Sequence, residues 1–231
     1  MDDAARGKQA AARAAVALID SGMRLGLGTG STMAFVLDLI AERRARETLD
    51  VVGVPTSERT RDHAARLGIP LTDLDHVDAL DLAIDGADEV ATGTLDLIKG
   101  LGGALLREKI VQQAARRFVV VADEGKVVTR LGSHAPLPVE VVPFAHAATA
   151  RAIAALGIVP RLRMDAAAPY RTDNGNVIYD CHGIDAAGAP AALQSRLLAI
   201  AGVVETGLFL GVTERAIIGR ADGGSTEMLP G

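Results

Sequence analysis

The chain contains no tryptophan, and aromatic residues fill only 3% of its 231 positions. Its core must therefore be built from Ala, Val, Leu and Ile. It has one cysteine, Cys181, so no internal disulfide can form, which fits a reducing, cytosolic setting. No apolar run reaches the ~18 residues expected of a membrane span. The start, Met1-Asp2-Asp3, is acidic and lacks the apolar segment of a signal peptide. Both features set the expectation of a cytoplasmic protein with no membrane partner. Basic residues are outnumbered, 24 against 29 acidic, and the net charge of −5 argues against a nucleic-acid partner. An anionic ligand would need a local cluster of lysines or backbone amides against that background. Histidines 63, 76, 134 and 146 are scattered without metal-ligand spacing. Cys181 and His182 are adjacent and would face opposite sides of a strand, which argues against a catalytic pair or a shared metal. No internal repeat or low-complexity linker stands out.

What is present is apolar and punctuated. Hydrophobic residues make up 49% of the chain, enough for one large domain or two small ones. The chemistry concentrates in Asp85-Gly86-Ala87-Asp88-Glu89 and in Lys99-Gly100-Leu101-Gly102-Gly103, which runs on to Glu108-Lys109. Residues 81–84 read as a buried strand, with Asp85 and Asp88 where it runs out. A second apolar run, 95–98, delivers Lys99. The glycines turn the chain into a helix from about residue 103 or 104, with Leu105, Ile110 and Val111 available for its buried face. One loop system thus holds Asp85, Asp88, Lys99 and Glu108. Moving a proton between carbons beside a carbonyl needs a carboxylate base and donors aimed at the developing oxyanion. Glu108 is a candidate base, Lys99 a candidate donor, and Asp85 or Asp88 a candidate shuttle between sugar oxygens. The alternative is a solvated acidic turn followed by a helix with a surface Lys/Glu pair.

The rest of the chain alternates strand and helix. A helix over about 4–21 contains Lys8 in its first turns and ends at Gly22. A strand at 23–27 leads into Gly28-Thr29-Gly30-Ser31-Thr32 and a helix to about 46. Strand, glycine turn and helix form a setting in which amides bind phosphate. This turn is neither a Walker loop nor a dinucleotide fingerprint. Its competing reading is a tight turn with Ser31 or Thr32 as an N-cap. Strands are expected at 50–55 and 69–71, around a helix over 58–67 capped by Thr56 or Ser57. The β-branched run 117–122 ends near Lys126. This alternation points to an open, mostly parallel Rossmann-like sheet, whose ligands bind outside the carboxyl ends of the strands. Thr29, Asp85, Asp88, Lys99 and Lys126 are all placed there. From Gly132 the pattern changes: Pro136-Leu137-Pro138 breaks the chain, and strands and helices then follow in the order β-α-β-β-α-β. Residues 173–176 supply the hairpin turn. That order is the split βαβ, ferredoxin-like arrangement. Residues 133–205 are therefore expected to form a smaller α+β domain inserted between 1–132 and 206–231.

Taken in order, the blocks Gly28–Thr32, Asp85–Glu89, Lys99–Lys109, 121–126, 136–141 and 172–176 resemble ribose-5-phosphate isomerase, type A, over nearly the whole chain. The resemblance implies an aldose-ketose isomerase of the pentose phosphate pathway. It would interconvert D-ribose 5-phosphate and D-ribulose 5-phosphate through an enediol. It also implies no metal or organic cofactor, and a homodimer or a dimer of dimers. Carried over by position, Glu108 matches the base, Asp85 a residue linked to ring opening, and Asp88 and Lys99 sugar-oxygen contacts. Thr29, Gly30, Ser31 and Thr32 match a substrate-binding turn. Gly86, Ala87, Gly100, Leu101 and Gly102 match backbone contacts, and Lys126 a further ligand. Lys8 matches a lysine near the phosphate only by its distance from the turn. Leu101 stands where many members have a third consecutive glycine, and its side chain is expected to point away from the ligand. Two rivals are weaker. A sugar-responsive regulator would lack the Lys99/Glu108 pair and would carry a DNA-binding module, for which the single N-terminal helix leaves no room. An amino-sugar phosphate deaminase would want a histidine by the acidic loop.

Overall fold

The computed structural model describes residues 2–231. Helix α1 (Asp3–Val16) is capped by Asp2, whose carboxylate accepts the Ala5 N–H at 2.7 Å, and it buries Ala11, Ala12, Ala15 and Val16. It stops well short of residue 21. The chain tightens after it, with Leu18 N–H bonded to the Ala15 carbonyl at 3.0 Å and Ile19 N–H to the Val16 carbonyl at 3.2 Å, and the Arg43 guanidinium donates to the Val16 and Ile19 carbonyls at 2.8 and 3.0 Å. Gly22, at φ +88°, then turns the chain into β1 (Arg24–Leu27). Helix α2 (Ser31–Arg46) follows, then β2 (Val52–Pro55) and α3 (Glu58–Arg66), where Ser57 Oγ accepts the Thr60 N–H at 3.1 Å as N-cap. The strand expected at 69–71 is reduced to a single bridge between Leu71 and Gly53.

Strand β3 (Leu82–Gly86) carries Asp85 inside it, not past its end. Strand β4 (Glu89–Ala91) has no counterpart in the sequence reading, and β5 (Leu97–Ile98) delivers Lys99. Helix α4 (Leu105–Gln113) buries Leu105 and Val111 as expected, but Ile110 is 47% exposed. Glu108 and Lys109 take the inward positions three and four residues after Leu105, on the same helix face. Strand β6 (Phe118–Asp123) runs into a single 3-10 turn over Glu124–Lys126 and then β7 (Val127–Val128).

The remaining elements are β8 (Leu137–Val141), α5 (His146–Ala154), β9 (Val159–Leu162), β10 (Met164–Asp165) and β11 (Ala168–Pro169), then β12 (Val177–His182), α6 (Pro190–Leu198) and β13 (Val203–Thr206). Pro138 does not break the chain; it lies within β8, where its carbonyl still accepts the Gly207 N–H at 2.8 Å. The hairpin turn is also not at 173–176. Strands β10 and β11 pair antiparallel, so their two-residue turn is Ala166-Ala167, with Ala166 at φ +51°. Residues 173–176 do form a tight turn, closed by Gly175 N–H to the Thr172 carbonyl at 2.8 Å and Thr172 N–H to the Asn176 carbonyl at 3.0 Å, but it joins strands that are not paired with each other, and it reaches α3 and α4. Strands β14 (Leu208–Phe209), β15 (Arg215–Gly219) and β16 (Ser225–Met228) complete the chain.

The central sheet has the order β16-β15-β6-β3-β1-β2 and is parallel except for the β15–β16 pair. Strands β13-β8-β12-β9 form an antiparallel sheet in the order of a split βαβ unit. A third, small sheet, β14-β5-β4-β7, takes β4 and β5 from the connection between β3 and β6 and adds β7 and β14 from either side of the antiparallel sheet in the chain; its β5 leads directly into Lys99. The fold is thus mixed α/β with a mostly parallel central sheet.

Candidate active site

Strands β1 and β3 lie side by side, and their carboxyl ends set the floor of the site. Gly28 crosses directly over Asp85; a Cβ there would sit 2.1 Å from Asp85 Oδ1, so only glycine permits the crossing. Asp85 Oδ1 accepts the N–H groups of Thr29 at 3.0 Å and Gly86 at 2.7 Å. Its other oxygen is 3.0 Å from Lys99 Nζ, which also donates to the Gly86 carbonyl at 2.5 Å. On the far side of the ammonium, Glu108 Oε2 stands at 3.4 Å. The three side chains are between 2% and 4% exposed, so the pair is buried and not a surface pair.

Two buried carboxylates therefore share one cation. Burial pushes Glu108 up to about 8, and the neighbouring Asp85 charge adds to the shift against the pull of Lys99. Burial likewise raises Asp85, with Lys99 opposing it. For Lys99, burial alone would favour the neutral amine, but Asp85 and Glu108 outweigh it and the ammonium is held above its ordinary value. Glu108 Oε2 is buried and accepts no hydrogen bond from the described residues. That oxygen's ion-pair partner is the Lys99 ammonium, so the base candidate stands beside a cation.

Above this trio lies a cavity of about 120 Å³. Thr29, Gly30, Ser31 and Thr32 form one wall, Gly86, Ala87 and Asp88 another, and Lys99, Gly100, Gly102 and Glu108 a third. Lys126 and Lys8 also line it, so the lysine singled out only by its distance from the turn does reach the cavity. Gly30, at φ +121°, caps α2 through its backbone alone. Neither Ser31 nor Thr32 is the N-cap, and the first N–H groups of α2 have no partner within the helix. The Thr29 hydroxyl is turned into a buried cluster with Thr56, Ser57 and Thr60, at 2.8, 2.8 and 3.2 Å, so it is a strut of the turn and not a free donor.

Two predicted residues are not on the wall. Asp85 lies behind it, with its oxygens committed to Thr29, Gly86 and Lys99. Leu101 is 42% exposed and off the wall, as expected of its side chain; its N–H donates to Asp88 Oδ2 at 2.9 Å. Asp123 and Ala122 line the cavity and were missed. The signal was available, because both sit at the carboxyl end of the β-branched run that leads to Lys126.

The family profile described as ribose 5-phosphate isomerase A (phosphoriboisomerase A) matches residues 52–223. The ribose-5-phosphate isomerase A of Gloeobacter violaceus is 52% identical over 222 residues, covering 96% of this chain and 95% of the relative. Among solved structures, ribose 5-phosphate isomerase A of Methanocaldococcus jannaschii superposes with a TM-score of 0.90 at 40% identity, covering 96% of this chain and 97% of that one. A D-ribose-5-phosphate isomerase in complex with phospho-erythronic acid superposes with a TM-score of 0.93 at 38% identity, covering 98% of this chain and 99% of that one.

Proposed function

The chain belongs to the ribose 5-phosphate isomerase A family, and from that premise we propose how its cavity carries out the isomerisation. The reaction interconverts D-ribose 5-phosphate and D-ribulose 5-phosphate, a step of the pentose phosphate pathway. The observation that carries the mechanism is Glu108: buried, raised to about 8, lining the cavity, with its Oε2 3.4 Å from the Lys99 ammonium.

In the open-chain aldose, Glu108 takes the proton from C2. The electrons of that C–H bond form the C1–C2 double bond, and the carbonyl electrons move onto O1. Lys99 and the amides of the glycine loop stabilise that oxygen, which collects a proton. The O2 hydroxyl then gives up its proton to become the ketone, and protonated Glu108 returns a proton to C1. The carboxylate is restored and no external oxidant is consumed. Asp88 lines the wall and is the group placed to move protons between sugar oxygens, including during ring opening. Asp85, committed behind the wall, acts by holding Lys99 and the Thr29 turn.

The phosphate end of the substrate is assigned to Ser31, Thr32, the N–H groups opening α2, Lys8 and Lys126. Phospho-erythronic acid, bound by a relative, joins a phosphate to a carboxylic acid and so is anionic at both ends. That suits a site with lysines at its mouth and Lys99 at its floor. We assign the protein to the cytoplasm and to a homodimer or dimer of dimers on the family likeness. A coupled assay with ribose 5-phosphate tests the reading: full turnover is expected after exhaustive treatment with EDTA. Loss of activity restored by a divalent ion would overturn the metal-free mechanism, and no turnover under any condition would overturn the assignment.

A further inference from the structure

The glycine loop at 100–103 poses a physical problem. Its glycines let a ligand approach the backbone closely, but they also let peptide groups rotate at little cost. A donor carried by such a loop needs an outside clamp. We propose that Arg163, on the opposite side of the loop from the cavity, is that clamp and so is a positioning residue for the isomerisation.

Arg163 sits between β9 and β10, and its own backbone is fixed at both ends. Its N–H donates to the Ile178 carbonyl and its carbonyl accepts the Tyr170 N–H, each at 2.9 Å. The guanidinium is gripped in a fork by Asp180 of β12, at 2.9 Å from Nε and 2.5 Å from Nη2. Its face lies 5.7 Å from the centre of the Tyr170 ring. The remaining nitrogen, Nη1, donates to two carbonyls of the loop, Gly100 at 3.0 Å and Leu101 at 3.1 Å.

Those two contacts decide where the loop's N–H groups point, because the C=O and N–H of a trans peptide are opposed. In the Gly100–Leu101 peptide, the carbonyl goes to Arg163 and the N–H goes to Asp88 Oδ2 at 2.9 Å. That peptide is held at both ends, and it orients Asp88 on the cavity wall. In the Leu101–Gly102 peptide the carbonyl also goes to Arg163, so the Gly102 N–H is turned away from it, and Gly102 lines the cavity. Arg163 therefore sets one amide as a donor into the site and steadies one carboxylate, without touching the substrate. The planar guanidinium grips the carboxylate with two donors in a fork and still presents Nη1 to two carbonyls; a lysine ammonium has three donors but no fork to fix their directions.

The inference rests on the isomerase reading above, and the experiment separates the two. Wild-type protein, R163M, R163K and the surface control R171A are compared for kcat, KM and inhibition by inorganic phosphate. R163M is expected to lose at least ~10-fold in kcat, since deleting a single oxyanion donor outright costs ~10²–10³-fold. Phosphate inhibition should stay within twofold of wild type, because the α2 turn and Lys126 are unaltered. R163K should fall between wild type and R163M, and R171A should match wild type. The acid limb of the pH profile should not move, since Arg163 does not contact Glu108. A folded R163M with kcat within twofold of wild type would overturn the inference while leaving the isomerase reading intact. Equal losses in kcat and phosphate affinity would also overturn it, by showing collapse of the whole site. If R163M does not fold, D180N loosens the same fork, and the same split between kcat and phosphate inhibition applies. An inactive wild-type protein would instead sink the functional reading.

Discussion

Glu108 is a carboxylate kept in a place that suits its neutral form. Its folded pKa of about 8 lies above the ordinary 4.5, so the folded protein binds more protons than the unfolded chain between those values. Stability linked to this group is complete below about pH 4.5 and is lost as pH rises toward 8. E108Q removes that dependence, so its melting temperature should exceed that of wild type at pH 8 by more than at pH 5. Catalysis needs the opposite state. The free enzyme's base must be ionised, so kcat/KM should rise with pH through a midpoint near 8 and level off about one unit higher. E108Q should cut kcat by ~10²–10⁴-fold, the usual worth of a positioned base, and should abolish solvent hydrogen exchange into the substrate. Near-normal turnover in E108Q would move the base elsewhere. Lys126 belongs to the other end of the substrate: K126A should raise KM more than it lowers kcat, and an unchanged KM would remove Lys126 from the site. At this scale the sequence was informative where residues sit at strand ends or in glycine turns, as with Lys99, Asp88 and Lys126. It placed Thr29 in the binding turn but gave no sign of the cluster of Thr56, Ser57 and Thr60 that claims its hydroxyl, because no local pattern announces that contact.

Among the elements, the crossing of the β1 turn over β3 governs the site. Gly28 has no room for a side chain because Asp85 lies against it, within 2.6 Å of a would-be Cβ even at the Asp85 backbone. G28A must therefore move Asp85, and with it Lys99, which Asp85 holds at 3.0 Å. A loss of ~1–3 kcal/mol in stability is expected from the overpacking, together with a fall in kcat. Unfolding and steady-state rates measured together check it; an active G28A of wild-type stability would show that the crossing is adaptable. The pattern of strands and helices was legible because β-branched runs and glycine stops are local signals. Helix α1 ends at Val16, and Arg43 donates to the carbonyls of Val16 and of Ile19 beyond it, 27 and 24 residues away, a contact no local pattern announces. The turn at 173–176 was legible from its residues; what was not is that the strands it joins, β11 and β12, pair with others and not with each other. The turn also has distant partners: Arg107 donates to Asn174 Oδ1 at 2.9 Å and to the Asp173 carbonyl at 3.0 Å, and Asp173 accepts the Glu58 N–H at 2.9 Å.

At the scale of the molecule, the question is whether residues 133–205 are a domain or a lobe. We propose the second. Their four-stranded sheet is complete in itself, with the order β13-β8-β12-β9. Its hydrophobic cluster is not: Ala91, Ile98, Val128, Leu131 and Leu208 pack in the same core as Leu137, Val139, Val177 and Leu197. Glu89, wholly buried in β4, ties the entry to this lobe by accepting the N–H groups of Gly132, His134 and Ala135 at 2.6, 2.5 and 2.7 Å. Lys109 of α4 pairs with Glu205 at 2.7 Å and anchors the exit. Composition and element order suggested a boundary near 132, since both register a change in pattern. Neither registers a shared core, which depends on which apolar faces meet in space. A segment of this size rarely supplies more than ~3–5 kcal/mol from its own core, and here part of that core is left behind on excision. Residues 133–205 expressed alone should therefore show no cooperative thermal transition, while the full chain melts as one unit. Sharp cooperative melting of the isolated segment would establish it as an autonomous domain. The lobe would then hold Arg163 over the glycine loop from outside, and not as part of one continuous core.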